Sequence, residues 1–540
     1  MDKFTNEEAE ILKPFFSNLD KDIFVLVNLP EVVKGALFSR YSRTAKSIRR
    51  LLLDEFINDE KMGFKEIVAF SEKMGYDQVV ATQKAEEFYD RVLVGYGDDS
   101  VAELGGAHIA CENVSNIVSK ILEDSRIGIS PLEKSTRYVY FDKKIEGEYL
   151  YVREPGIMES KYADEYIETC DSLFDSYSRL IEPTKKWLME KFPQDSETSD
   201  RAYGSTIRAK ACDILRGFLP ASTKTNVGLF GNGRSLEFLI IKMHSSELAE
   251  ARDVAKEMQT ELMKVMPSFV KRATGKYGDP TINFLAKTKI GMGTLSEKLF
   301  SGENSPFSEE VTLTDYDKDA ENKVIAAALY PFTDVSFETI KKKVKAMDKE
   351  EKIAVINEYI GKRENRRHKP GRGFEHTFYE FDLACNYASY RDLHRHRVLT
   401  QQRQDLGTTL GFDLPPEMKE LGIDKEFSEK MLLAKKTNEK IKSEMPKQSQ
   451  YVVPFAYRIR WSNYLNLREL YHLVELRSTI HGHPDYRRIV LKMFDEVNKV
   501  HPRLVEHMKF IDRREIGLER LESEKKIDKK IEQVKKKYGE

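Results

Sequence analysis

Apolar positions recur at helical spacing over much of the chain. Residues 51–56 and 64–70 keep that spacing, 207–219 reads as a helix ending at Pro220, and 249–270 as a long helix broken by Pro267. Asn18 or Asp20 is a candidate cap for a helical segment through Phe24, Val27 and Leu29, and the short apolar run 32–39 suits a strand or a buried helical turn. The turn at 94–103 places Ser100 as a helix cap with Glu103 three residues on, so a helix is expected through Ile109, Val114, Ile117 and Ile121. Residues 138–141 read as a strand, and 375–390 as an amphipathic run led by Glu375, as Glu103 leads the earlier one. Residues 142–200 read as a charged, amphipathic helical insertion, and the tail 512–540 as a solvated helix with Glu–Lys support. From 271 to about 322 the periodicity fades into Gly, Ser, Thr, Pro and Asp, so 271–317 is the expected linker.

These elements repeat. Glu261, Lys264, Val265, Pro267 and Val270 answer Glu496, Lys499, Val500, Pro502 and Val505. Asn232, Arg234 and Leu236 answer Asn466, Arg468 and Leu470, and Pro220 answers Pro454 with the same spacing to its Asn. Shared Pro, Asn and Arg in one register point to two copies of a domain, at 1–270 and 318–511.

Composition narrows the class. With 33% charged and 40% hydrophobic residues and a net charge of −1, the chain reads as globular, with no global field for nucleic acid or a membrane surface. Its four cysteines show no metal-ribbon or disulfide spacing, its first residues are acidic rather than signal-like, and no apolar run is long enough to span a bilayer. A cytoplasmic setting with no nucleic-acid or membrane partner is the expectation. His394/His396 and His481/His483 lack the i, i+4 spacing of a helical metal pair, so no metal is expected.

The densest chemistry lies at 390–397, Tyr-Arg-Asp-Leu-His-Arg-His-Arg. On a helix Arg391 and Arg395 would share a face, and guanidinium forks beside imidazoles make a polyanion site. A solvated basic face is the plain alternative.

Arg395-His396-Arg397, with Glu375-His376 twenty residues upstream, resembles the flavin-dependent thymidylate synthases, whose signature is Arg-His-Arg, seven residues, Ser, one residue, Arg. Neither half is whole. The second half has Asp405 and Gly407 at the Ser and Arg positions, Arg403 where the family has Glu, and Gln450 where it has a phosphate-binding Arg before the Pro. The first half keeps Glu133, Lys134, Ser135, Thr136, Arg137 and Arg216. It has lost Arg-His-Arg (Ser125, Arg126, Ile127), and Met243 stands where the family places the ring-contacting Arg, which is Arg477 in the second half. Asp392 replaces a nucleotide-touching Gln.

In the family, sites are shared between subunits of a homotetramer, and the losses here divide along that line. The resemblance therefore implies an α+β fold of two tandem copies, each a mixed sheet with long helices. It also implies one composite site per chain and a homodimer mimicking the tetramer. The implied reaction is reductive methylation of dUMP to dTMP with FAD, NADPH and methylenetetrahydrofolate. Arg477 would be catalytic. Glu133, Lys134, Ser135, Thr136, Arg137, Arg216, Arg395 and Arg477 would bind substrate. Arg395, His396, Arg397, Ser39, Ser100, Glu103, Glu133, Asn466, Arg468 and His472 would bind flavin. A non-catalytic nucleotide- or flavin-binding descendant, or a flavin enzyme on another uridine nucleotide, is the competing reading.

Overall fold

The computed structural model describes residues 4–29, 31–42, 44–58, 102–125, 127–303 and 305–539. The expectations for 64–70, for most of the turn at 94–103 and for Ser100 lie outside the described residues, as does that for Arg126. Two compact units emerge. One comprises Met1–Val114, Val118–Glu133 and Thr225–Glu303, the other Ser115–Ile117, Lys134–Lys224 and Asn304–Glu540. The units interleave in sequence, since the second takes a long piece of the first repeat.

The strands, in chain order among the described residues, are β1 (Gly106–Ser115), β2 (Ile129–Glu133), β3 (Lys144–Ile145), β4 (Glu148–Tyr149), β5 (Lys224–Asn232), β6 (Val311–Tyr316), β7 (Phe378–Asn386), β8 (Leu399–Arg403) and β9 (Arg458–Asn466). The first unit holds a sheet in the order β1-β5-β2. The second holds the β3-β4 hairpin and a sheet in the order β6-β7-β9-β8.

In the second unit, β9 alternates strictly. Ile459, Trp461, Asn463 and Leu465 are buried while Arg458, Arg460, Ser462 and Tyr464 turn away, the period of 2 that covers one face of a strand. Its two neighbours both run antiparallel to it. In place of a mixed sheet, this sheet is antiparallel throughout, because β9 separates β7 from β8. The Pro484–Val500 helix buries Tyr486, Ile489, Val490, Met493 and Val497, a helical stripe.

The two repeats share this plan. Ile129–Glu133 of β2 pair with Gly231–Val227 of β5, and Leu399–Arg403 of β8 pair with Leu465–Trp461 of β9. Both partner strands are offset by 234 positions, the offset that separates Pro220 from Pro454. Each then enters a helix, Gly233–His244 or Leu467–Arg477, capped by an Asn (Asn232 or Asn466) whose side chain accepts from the N–H three residues on.

In the second unit the two proline segments meet as an antiparallel bridge, Pro220 against Pro454. Ala221 N–H donates to Val453 and Phe455 N–H to Leu219, both at 2.9 Å; Ser222 N–H reaches Tyr451 and Ala456 N–H reaches Gly217. Each bond has its mate at the same 234 offset, so the chain holds a local two-fold within itself. Nearby, the Ala163–Lys191 and Asp424–Lys442 helices pack through a buried Thr169–Thr437 hydroxyl pair at 2.8 Å.

Several expectations need correction. Residues 275–299 form a helix, Gly275–Leu299, inside the expected linker, and β6 closes that segment. Only Gly278 of this helix is buried, and its apolar residues, Tyr277, Phe284, Ile290, Met292 and Leu295 among them, are exposed; Gly275, Gly278, Pro280, Gly291 and Gly293 are poor helix formers that read as a linker. The helix expected through Ile109 and Val114 is β1, followed by the short Asn116–Asp124 helix. The run at 375–390 is likewise β7 followed by the Tyr387–Leu393 helix. In β7 Tyr379, Phe381 and Leu383 alternate at period 2, and hydrogen-bonding partners on both edges settle the strand. Residues 138–141 are turn and coil rather than strand, and 18–29 make an isolated bridge, Phe16 with Leu26, instead of a helix. The 32–39 run is helical, within Glu31–Tyr41.

Replacing either capping Asn tests the matched helix starts. Asn232→Ala and Asn466→Ala should each lose about 1 kcal/mol of stability in denaturant melts, whereas the Asp variants should retain it.

Candidate functional site

The second unit gathers arginines from both repeats around one carboxylate. Arg216 occupies the turn just before Pro220, so the proline bridge delivers it to the second repeat, where its Nη1 lies 3.7 Å from Asp392 Oδ2. Burial pushes the Asp392 carboxyl up, but Arg216, Arg395, Arg137 and Arg477 together hold it below the usual range. Two of these arginines come from each repeat. Asp392 belongs to the Tyr387–Leu393 helix. That helix ends before Arg395, so Arg391 and Arg395 do not share its face; Arg391 donates instead to the Thr136 hydroxyl at 3.1 Å.

Arg137 grips Asp213 through Nε and Nη2 at 2.7 and 2.6 Å, leaving Nη1 outside that fork. Burial opposes the Asp213 carboxylate, but Arg137 and then His483 bring it down to about 2. Arg216 is buried, its Nη2 has no hydrogen-bond partner, and burial lowers its pKa against the pull of Asp213 and Asp392. Asp213, Arg216 and His483 help line a cavity of about 360 Å³. The Ser135 hydroxyl accepts from the Arg137 N–H, and Lys134 lies over the Phe141 ring.

The Leu467–Arg477 helix carries a second chain of contacts. Arg477 Nε donates to His396 Nε2 at 3.1 Å, and His396 Nδ1 lies 2.8 Å from Glu469 Oε1. An imidazole accepting at Nε2 donates from Nδ1, so the ring is neutral and Glu469 fixes its tautomer. His472 stands edge-on to His396, with ring centroids 5.5 Å apart. Arg468 bonds the Pro370 carbonyl and Glu375, while Arg397 is exposed. His396, Glu469 and His472 bring ligand atoms within 4.8 Å of one another, a spacing that a metal ion could use. Both His396 nitrogens are already engaged and the Arg477 cation adjoins them, which opposes a further cation.

Ser39, Glu103 and Glu133 belong to the first unit. Ser39 is buried, Glu103 pairs with Arg234 at 2.8 Å, and Glu133 pairs with Lys120 at 2.9 Å in a buried cluster with Glu123. Asn466 spends its side-chain oxygen on the helix cap. Sequence reasoning missed Asp213, His483 and Glu469 as site residues; Asp213 is found through Arg137, Glu469 through His396, and His483 through its effect on Asp213.

Positions equivalent to the gathered arginines have structural duties. Gln450, matching Arg216, accepts from Leu406 N–H and donates to the Lys447 carbonyl. Met243, matching Arg477, is wholly buried, and Asp405, matching Ser135, pairs with Lys447 at 2.7 Å.

Two outcomes follow from these charges. Asp392→Asn removes the carboxylate on which four arginines converge. The ligand-free variant should lose about 3 kcal/mol, and inorganic phosphate should raise its melting temperature more than it raises the wild type's. Burial, with repulsion from Arg216, lowers His483 to about 4, and burial lowers His472 to about 4, against 6.5 for an ordinary histidine. Between those values the unfolded chain binds more protons than the folded one. Stability is therefore full above pH 6.5 and falls as pH drops toward 4. His483→Asn, which keeps an acceptor at that helix cap, should flatten this limb in denaturant melts at stepped pH.

Known proteins place the chain. The model of the family described as thymidylate synthase complementing protein, Thy1, matches residues 56–268 and again 312–503. A UPF0159 protein of Chlamydia pneumoniae is 44% identical over 525 residues, covering 97% of this chain and 98% of its own length. A UPF0159 protein of Thermoplasma acidophilum is 35% identical over 517 residues, covering 91% and 97%. Among solved structures, a UMP/dUMP methylase, PolB, from Streptomyces cacaoi bound with 5-Br dUMP is 15% identical with a TM-score of 0.32, covering 38% of this chain and 98% of that one. Among the described residues no helix is long and apolar enough to cross a membrane. The two family segments agree with the duplicated strands and caps, and this chain belongs to the thymidylate synthase complementing protein family, flavin-dependent in general, as a tandem duplication of its domain.

Proposed function

We propose that the chain is a cytoplasmic flavin-dependent thymidylate synthase with one composite site built from both repeats, converting dUMP to dTMP. The observation that carries this reading is the convergence of Arg137 and Arg216 from one repeat, and Arg395 and Arg477 from the other, on Asp392.

A nucleotide phosphate carries nearly two negative charges. Arg137 Nη1, the unpartnered Arg216 Nη2 and the Ser135 hydroxyl are suited to hold it, with Arg395 beside them. Lys134 and Thr136 flank that loop, Thr136 being held by Arg391. Arg477, steered by neutral His396, has terminal nitrogens free to stabilise negative charge on the pyrimidine as C5 becomes nucleophilic. Such a donor is worth roughly 10²–10³ in rate.

Flavin suits the neighbouring wall. His396 is neutral by its hydrogen bonds, burial keeps the His472 ring uncharged at neutral pH, and the two present an aromatic, unionised surface to a flat ring. His396, Arg397, Arg468, His472 and Asn466 are the residues of this unit that would hold FAD. When bound, FAD reduced by NADPH supplies the hydride that completes a methyl group whose carbon comes from methylenetetrahydrofolate. The internal two-fold at Pro220 and Pro454 supports a homodimer in place of the family tetramer, and the four free, buried cysteines suit a reducing compartment.

Arg216→Ala and Arg477→Ala remove one arginine from each repeat. Each should weaken dUMP binding by about tenfold or more in calorimetry, and each should abolish rescue of a thymidine auxotroph by the full chain. Unchanged dUMP affinity in both variants sinks the shared site.

A further inference from the structure

Beyond the second family segment, which ends at residue 503, the chain continues as a strap that returns to the second unit. The strap is fastened on both sides of Arg520. Before it, Glu519 pairs with the buried Lys210 at 3.1 Å, and the Glu519 carbonyl lies 3.2 Å from His481 Nδ1. After it, Ser523 lies 2.9 Å from the same His481 nitrogen, and Glu524 pairs with Arg201 at 2.9 Å.

Between these anchors Arg520 lies over the Tyr138 ring, its guanidinium carbon 3.9 Å from the centroid. Tyr138 follows Arg137 directly. Arg520 Nε is buried and has no hydrogen-bond partner. Burial, and then repulsion from Arg137, pull its pKa down to about 9, so it is still cationic at neutral pH. The fold therefore holds a largely buried positive charge beside another arginine, offset only in part by Glu524, which also pairs with Arg201, at a cost in stability.

Arg137 is matched by Asp213 in a two-point fork, and Arg216 leans on Asp392. These two pairs are close to neutral, so the surplus charge a phosphate dianion needs falls to the remaining cations nearby, Arg395, Arg477 and Arg520. We propose that Arg520 is a further arginine of the phosphate subsite begun by Arg137 and Arg216, brought in by the C-terminal strap to bind the phosphate of a nucleoside monophosphate. This rests on the nucleotide reading of the same site and adds to it a residue from outside the family segments. Stacking on Tyr138 holds the guanidinium plane in place, so little further ordering is required when the anion arrives.

Arg520→Met keeps the cover over Tyr138 and removes the charge; Arg520→Lys keeps the charge. The full-length wild type and both variants are compared by thermal melts in inorganic phosphate against chloride at equal ionic strength, and by calorimetry with dUMP and with deoxyuridine. R520M should melt higher than wild type without ligand, gain less from phosphate, and bind dUMP about tenfold more weakly with deoxyuridine binding unchanged. R520K should keep most of the phosphate response, and decides the matter alone if R520M does not fold. Wild-type affinity for dUMP and full phosphate response in R520M overturn the proposal, as does an equal loss of dUMP and deoxyuridine, the mark of a strap that merely supports the fold. If phosphate stabilises wild type in an Arg520-dependent way and dUMP adds nothing, the subsite stands and the thymidylate reading falls.

Discussion

The backbone pairing of Pro220 with Pro454 is the constraint on which the second unit depends. Four hydrogen bonds, related in two pairs by the same sequence offset, lock a segment of one repeat against its counterpart in the other. Proline donates no hydrogen bond, so its neighbours carry the ladder, and the fixed backbone angle at each proline holds the strands in place. Arg216 lies four residues before Pro220, in a turn whose Gly217 carbonyl accepts from the opposite segment. Its guanidinium is therefore carried into the second repeat by backbone geometry.

That delivery sets the electrostatics. Arginines that would repel one another are held near Asp213 and Asp392, and burial strengthens both the repulsion and the attraction. The carboxylates make the ligand-free cluster tolerable while leaving guanidinium nitrogens, notably Arg216 Nη2, without partners. The ligand-free cluster thus holds enough negative charge to fold and too little to satisfy every guanidinium. Arg477 shows a different solution, leaning on a neutral imidazole whose tautomer is set by Glu469.

Duplication within one chain permits asymmetry. In a symmetric dimer every substitution appears at both sites, whereas here Arg216 and Gln450, or Arg477 and Met243, diverge separately. The replaced positions are not idle. Gln450 ties two backbone segments and Met243 fills a core, so the residues opposite Arg216 and Arg477 contribute to packing.

The repeat, the capping asparagines and the motif arginines could be read from the sequence alone, because a fixed offset with shared Pro, Asn and Arg survives where apolar composition drifts. The family followed from the same residues. At 378–386 the alternation of Tyr379, Phe381 and Leu383 with Glu380 and Asp382 is a local strand signal, whereas 106–115 has no clean period and acquires its conformation from the partner strand that satisfies its backbone. The Gly275–Leu299 helix was hidden for a different reason: its glycines and Pro280 read as helix breakers. Asp213, His483 and Glu469 stand in no motif, and Asp392 reads in sequence as a mere departure from one. What they do depends on which cations lie within a few ångströms, and that proximity arises from the proline bridge and the packing of helices far apart in the chain.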